Sequence, residues 1–238
     1  MKAKIISCEI FRGEIEHLLG KHGLDIETEY LEIALHNETD NLRSQIRERI
    51  DAAPDDVTHI LLFYGLCGNG TAGISSPNHT IVIPRAHDCC TILLGSRDRF
   101  QSNFGHRLSA EWTSNIYYEK KGWGSRSDNR DLEQLGLNMS REEYIKYYGE
   151  ENGAYLWETL QPKGSSEIIF IRVPETEDPE TEERVKLKAE ENEKTFLVLE
   201  GSLSLLEKLI LAQWDGDFLI VPPQQEIQPS FDDEVIKA

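Results

Sequence analysis

The run His59-Ile60-Leu61-Leu62-Phe63-Tyr64, which stops at Gly65, constrains this chain more than any other stretch. A continuous apolar run bounded by glycine or proline is how a strand buried on both faces of a parallel sheet looks. Thr80-Ile81-Val82-Ile83-Pro84 repeats the pattern further on. Upstream, Lys4-Ile5-Ile6-Ser7-Cys8 reads as a short opening strand. Phe11, Ile15, Leu18 and Leu19 then fall at helical spacing before Gly20 and Gly23 supply stop signals. Glu27 to Leu35 predicts a second strand. Thr39 or Asp40 can cap a helix that carries Leu42, Ile46 and Ile50 on one stripe, and Pro54-Asp55-Asp56 breaks it. The order strand, helix, strand, helix, strand, loop, strand predicts an α/β fold, a mainly parallel, Rossmann-like sheet with flanking helices.

The middle, residues 97–164, reads as an irregular, aromatic-rich region holding Trp112, Tyr117, Tyr118 and Trp123. It contains a helix from Ser140 to about Leu160, opened by the capping-box pattern Ser140-Arg141-Glu142-Glu143. Glu167 to Val173 is a strong strand. Glu175 to Lys194 is highly charged, with few large apolar residues, and predicts a solvated helix or a mobile surface insertion. The chain closes with a strand at Phe196–Leu199, a helix from Leu203 to Ala212 and a strand from Asp217 to Pro223. With 238 residues, this suits a single α/β domain over 1–238; two α/β halves, 1–96 and 165–238, around the 97–164 centre are the alternative.

Charge excludes several classes of partner. Against 25 basic residues stand 43 acidic ones, for a net charge of −18, and no basic stripe compensates. Such a surface repels phosphate backbones and anionic lipid, so neither nucleic acid nor membrane is expected as a partner. No apolar run approaches the roughly 20 residues that span a bilayer, and Met1-Lys2-Ala3-Lys4-Ile5-Ile6-Ser7 lacks a signal-peptide core. A cytoplasmic location follows as the expectation. The four cysteines are then reduced thiols, metal ligands or catalytic groups rather than a disulfide framework.

Their positions carry the functional argument. Cys8 ends the first strand, Cys67 follows the His59–Tyr64 strand, and Cys89 and Cys90 follow the Thr80–Pro84 strand with His87 and Asp88. Carboxyl ends of parallel strands share one edge, where open α/β sheets bind ligands. Cys8, Cys67 and Cys89, with His87, are therefore the candidate metal ligands. Buried cysteines that merely pack are the plain alternative for each, most of all for Cys90, which can face inward from the next helix. Thiolates with or without a histidine suit zinc or an iron–sulfur cluster, although no Cys-x-x-Cys signature is present. His87 can equally be a hydrogen-bonding loop residue. Asp88 reads as the cap of the helix that starts at Cys89, and a thiolate at that helix N-terminus is expected to have a lowered pKa.

Gly65-Leu66-Cys67-Gly68-Asn69-Gly70-Thr71-Ala72-Gly73 places four glycines after a parallel strand. Backbone amides there can approach an anion or a flat cofactor, which makes Gly65, Gly68, Asn69 and Gly70 candidate cofactor-binding residues; a tight, unliganded turn is the alternative. The stretch matches neither G-x-G-x-x-G nor the Walker pattern. A cysteine hydrolase is a third reading, with Cys67 on a nucleophile elbow, His87 as base and Asp88 or Glu9 as orienter. Against it, Ser75-Ser76-Pro77-Asn78 interrupts the helix that should follow, and the second glycine falls one position late.

Ser7-Cys8-Glu9-Ile10, Tyr64-Gly65-Leu66-Cys67-Gly68-Asn69, Pro84-Arg85-Ala86-His87-Asp88-Cys89 and Leu93-Leu94-Gly95-Ser96 resemble domain of unknown function 1638, a family of methanogenic archaea and anaerobic bacteria. The resemblance extends to Glu200-Gly201 and Trp214…Asp217-Phe218. It implies an anaerobic cytoplasm, a reduced metal site, and a corrinoid protein or methyltransferase of one-carbon metabolism as partner. The family pattern carries one cysteine after His-Asp, which corresponds to Cys89 and makes Cys90 an extra thiol. The leading expectation is a zinc or iron–sulfur protein of corrinoid methyl-transfer metabolism, catalytic or not. A non-enzymatic module that binds a corrinoid or its carrier protein is the alternative. Oligomeric state is open.

Overall fold

The computed structural model describes residues 1–33, 35, 38–105, 111–121, 140–160, 166–230 and 232–238. It is a mixed α/β structure built on a mostly parallel central sheet. Strand β1 (Ala3–Cys8) leads to helix α1 (Arg12–His22), then β2 (Glu27–Leu31), α2 (Thr39–Asp51), β3 (His59–Phe63) and β4 (Thr80–Pro84). These strands assemble in the order β2-β1-β3-β4, each parallel to its neighbour. Ile60, Leu61, Leu62, Ile81, Val82 and Ile83 are fully buried, as two-sided strands must be. Leu42, Ile46 and Ile50 of α2 are likewise at 0% exposure, on the stripe their spacing defines. Neither Thr39 nor Asp40 caps this helix; Glu38 stands at its N-cap without a side-chain cap bond.

The remaining elements are α3 (Cys89–Leu94), α4 (Arg97–Phe104), β5 (Glu111–Thr113), α5 (Asn115–Lys121), α6 (Arg141–Tyr148), α7 (Glu150–Leu160), β6 (Glu167–Arg172), α8 (Pro179–Glu191), β7 (Thr195–Glu200), α9 (Ser204–Ile210), β8 (Phe218–Val221) and a small β9 (Gln228–Pro229)–β10 (Ile236–Lys237) ribbon. A second, three-stranded parallel sheet has the order β5-β6-β7. Its central strand alternates: Ile169 and Ile171 join the same core cluster as Ile5, Leu61 and Leu93, whereas Ile168 and Phe170 pack on Val185 of α8. The chain then returns to the first sheet, where β8 pairs antiparallel with β4.

Three stretches differ from their sequence reading. The Ser140 helix has its capping box, with Ser140 N donating to Glu143 Oε2 at 2.8 Å and Glu143 N to Ser140 Oγ at 3.2 Å. It ends early, however, because Gly149 takes a left-handed φ of 83°, and α7 starts afresh. The charged Glu175–Lys194 stretch contains α8, whose Thr181, Val185 and Ala189 are fully buried; the stripe is made of small side chains, so charge hides it. The central region forms no aromatic cluster among the described residues. Phe100–Phe104, Trp112–Tyr117 and Tyr144–Tyr148 are separate ring pairs on different elements, at 5.4, 5.5 and 5.9 Å. Trp123 lies outside the described residues. No described helix is long and apolar enough to cross a membrane.

Candidate functional site

The chain places β2 on one side of β1 and β3 on the other, so the sheet changes winding direction between β1 and β3. Open α/β sheets bind ligands at the carboxyl edge beside such a switch point. Cys8 is the last residue of β1, Cys67 lies just beyond β3, and Cys89 opens α3 after β4. These three thiols line one small cavity with Phe11, Glu32, Leu35 and Tyr64. Its volume open to the centre of a water-sized species is about 10 Å³.

A tight local scaffold carries Cys67 there. Leu66 N donates to Ala86 O and Cys67 N to His87 O, both at 2.8 Å, so the loops after β3 and β4 continue to pair beyond the strands. Gly65 makes this approach possible: a Cβ on it would lie 2.7 Å from Ala86 O and 2.8 Å from Asp88 N. Gly65→Ala is expected to cost roughly 1–3 kcal/mol through this overlap, lowering the thermal midpoint by several degrees. A melting curve superimposable on the parent's would contradict the tight approach.

Beyond Gly65 the backbone turns left-handed for three residues, with φ of 47° at Cys67, 62° at Gly68 and 69° at Asn69. Such a conformation strains a residue that has a Cβ, and Cys67 bears that cost where its thiol reaches the cavity. The expected cofactor-binding residues sit in this turn. Gly68 and Asn69 form its exposed tip, while Gly70 is buried with a would-be Cβ 2.7 Å from Leu42 Cδ2. Arg43 donates to Asn69 O at 3.0 Å and Ala72 O at 2.7 Å, Arg47 donates to Gly73 O at 2.6 Å, and Thr71 Oγ1 donates to Gly65 O at 3.1 Å. Much of the loop's polar capacity goes into holding itself and Cys67.

Electrostatics at the cavity favour protonated thiols. Burial pushes Cys8 up to about 11 and Cys67 up to about 12, with Asp88 and Cys8 adding to the rise at Cys67. Cys89 is also pushed well above the usual thiol range, by burial first and then by Cys67, Asp88, Cys8 and Cys90. The lowering expected from the helix N-terminus is therefore overturned. Asp88 explains part of the reversal: its Oδ1 accepts from Thr91 N and Thr91 Oγ1, both at 2.9 Å, so a carboxylate caps the α3 terminus. Its negative charge opposes a second one on sulfur.

His87 is not brought to this cavity. It is exposed, with its ring 6.0 Å from that of Phe100, and its link to Cys67 runs through backbone atoms. Cys90 is fully buried in the main core, away from the lining set. Among the described residues, no three His, Cys, Asp or Glu side chains form a group set to hold a metal ion; the thiols share a cavity without being a ready chelate. Tyr64 is the residue that sequence reasoning missed. Its hydroxyl is buried with no hydrogen-bond partner among the described residues, and its ionisation is opposed by burial and then by Cys8, Cys67 and Cys89. The available signal was a tyrosine closing an otherwise apolar strand directly before Gly65.

Sheet and site together define a Rossmann-like α/β protein with a three-thiol cavity at its switch point. The chain belongs to DUF1638, a family of proteins of unknown function, whose model matches residues 30–210. That span includes Tyr64, Cys67 and Cys89, while Ser7–Ile10 and Trp214–Phe218 lie outside it. No curated protein and no solved structure matches the chain.

Proposed function

We propose that this chain is a cytoplasmic thiolate metal protein that holds a single soft divalent ion, zinc being the best fit, with Cys8, Cys67 and Cys89. The observation that carries the reading is the meeting of three thiols, from three separate strand ends, around one small cavity. Thiolates select zinc, Cu(I) or iron–sulfur clusters over Mg²⁺ and Ca²⁺. About 10 Å³ admits the centre of roughly one water, which is room for a single ion. The Tyr64 hydroxyl, which lines the same cavity and has no partner among the described residues, also fits an occupied cavity, since buried polar groups ordinarily have partners.

Zinc held there would supply Lewis acidity toward a thiol or water that joins it. The chain's own residues do the rest. Phe11 and Leu35 keep the cavity wall apolar, and exposed Glu32 stands at the same cavity as a carboxylate available to a fourth position. His87 lies outside this set. A role in corrinoid methyl transfer, with a corrinoid protein or methyltransferase as partner, belongs to the proposal and rests on the family resemblance alone. The hydrolase reading needs the His87 ring at the Cys67 thiol and finds only a backbone bond between them.

Metal analysis with an absorption spectrum, on protein purified without oxygen, tests the reading. Near-stoichiometric zinc with no visible colour is expected, and Cys67→Ser should lose it. Iron with sulfide and a band near ~400 nm would overturn the single-ion assignment. Protein that stays metal-free after anoxic incubation with zinc, with four titratable thiols, would overturn metal binding altogether.

A further inference from the structure

We infer that Tyr64 is a positioning residue for the thiol cavity: its hydroxyl donates a hydrogen bond to a thiolate sulfur of the loaded site and tempers the charge that sulfur carries. The inference rests on the metal-binding proposal above. Tyr64 directly follows β3, is 4% exposed, and lines the cavity with Cys8, Cys67 and Cys89. Its Oη is buried and has no partner among the described residues. A buried hydroxyl left in this state is costly, and a thiol is a weak partner for it. An ionised sulfur is a strong one, because hydrogen bonds to charged acceptors are roughly twice as strong as neutral ones.

A buried hydroxyl that lines the cavity with three thiols offers them a donor. A donated hydrogen bond withdraws electron density from the sulfur, which makes the thiolate a weaker nucleophile and a better-defined ligand. With three thiolates around one dication, an added donor offsets part of the excess negative charge in a buried site.

Tyr64→Phe removes the hydroxyl and keeps the ring, and cobalt(II) is the spectroscopic probe. The parent loaded with cobalt should show thiolate-to-metal charge-transfer absorption. In Tyr64→Phe that band should move to lower energy, and zinc affinity, measured by competition with a chromophoric chelator, should fall roughly tenfold or more. The metal-free variant should melt at or above the parent, because an unpartnered buried hydroxyl has been removed. A hydroxyl with a purely structural role would lower the melting point and leave band and affinity in place. Unchanged band and affinity in Tyr64→Phe would overturn the inference and leave the metal site standing. Complete loss of cobalt from the variant would make Tyr64 a ligand and also overturn it. Failure of the parent itself to bind cobalt or zinc would instead overturn the metal site.

Discussion

Zinc binding to the stripped protein is expected to release close to three protons per ion at neutral pH, with apparent affinity rising by up to about a thousandfold per pH unit. The expectation follows from the thiols. Cys8 sits near 11, Cys67 near 12 and Cys89 well above the usual range, so all three hold their protons at pH 7. A thiolate site with depressed pKa values would bind with little pH dependence, and a carboxylate site would titrate several units lower. Competition with a chromophoric chelator at pH 6.5, 7.0 and 7.5, together with proton release in weak buffer, separates these cases. Release of one proton or none would show that the three cavity thiols are not the donors.

The same shifts make the metal-free fold sensitive to alkali. Thiols in the unfolded chain ionise near 9.0, whereas Cys8 and Cys67 in the fold wait until about 11 and 12. The folded state thus binds protons that the unfolded state has given up. The stabilisation is fully present below about pH 9 and is lost as pH rises through 11 and 12. Each thiol contributes a slope of about 1.4 kcal/mol per pH unit in that window. Two of them remove several kcal/mol, a large share of the ~5–15 kcal/mol that holds a domain together. Denaturant titrations at pH 8, 9.5 and 10.5 should show a steep decline in the parent. The decline should be shallower in Cys8→Ser/Cys67→Ser and in the zinc-loaded protein. Parallel declines in parent and double variant would mean that these thiols are not buried as described.

Much of this architecture can be read from residue order. A strand such as His59–Phe63 must be covered on both faces, which requires a parallel sheet and helices to cover it, and parallelism alone brings Cys8, Cys67 and Cys89 to one edge. Strand direction outside that logic is not written in the pattern: Phe218-Leu219-Ile220-Val221 reads like any closing strand, yet runs antiparallel to β4. Burial of small residues is also invisible beside strong charge, as Thr181, Val185 and Ala189 of α8 illustrate. At the site, the thiols' positions were legible but their protonation was not. A cysteine at a helix N-terminus suggests a thiolate until one knows that Asp88 already occupies the cap and that the surroundings are dry. Tyr64 was hidden for a similar reason, since whether a hydroxyl at a strand end meets water, a partner or three sulfurs is decided by chain segments far away in sequence.

Lys4, near the start of β1, is 1% exposed, with its Nζ 3.1 Å from Glu27 and 2.5 Å from Glu29 of β2. Only the lysine is buried, its two carboxylates reaching solvent, yet an ammonium stripped of them in that place would be strongly unfavourable. Sliding β1 along β2 by one residue would turn these partners to opposite faces of the sheet. The triad therefore works as an index mark: it permits one alignment of two strands that apolar residues alone would let drift. Because Cys8 closes the strand that Lys4 indexes, a salt link at the far end of β1 determines where one sulfur of the cavity comes to rest.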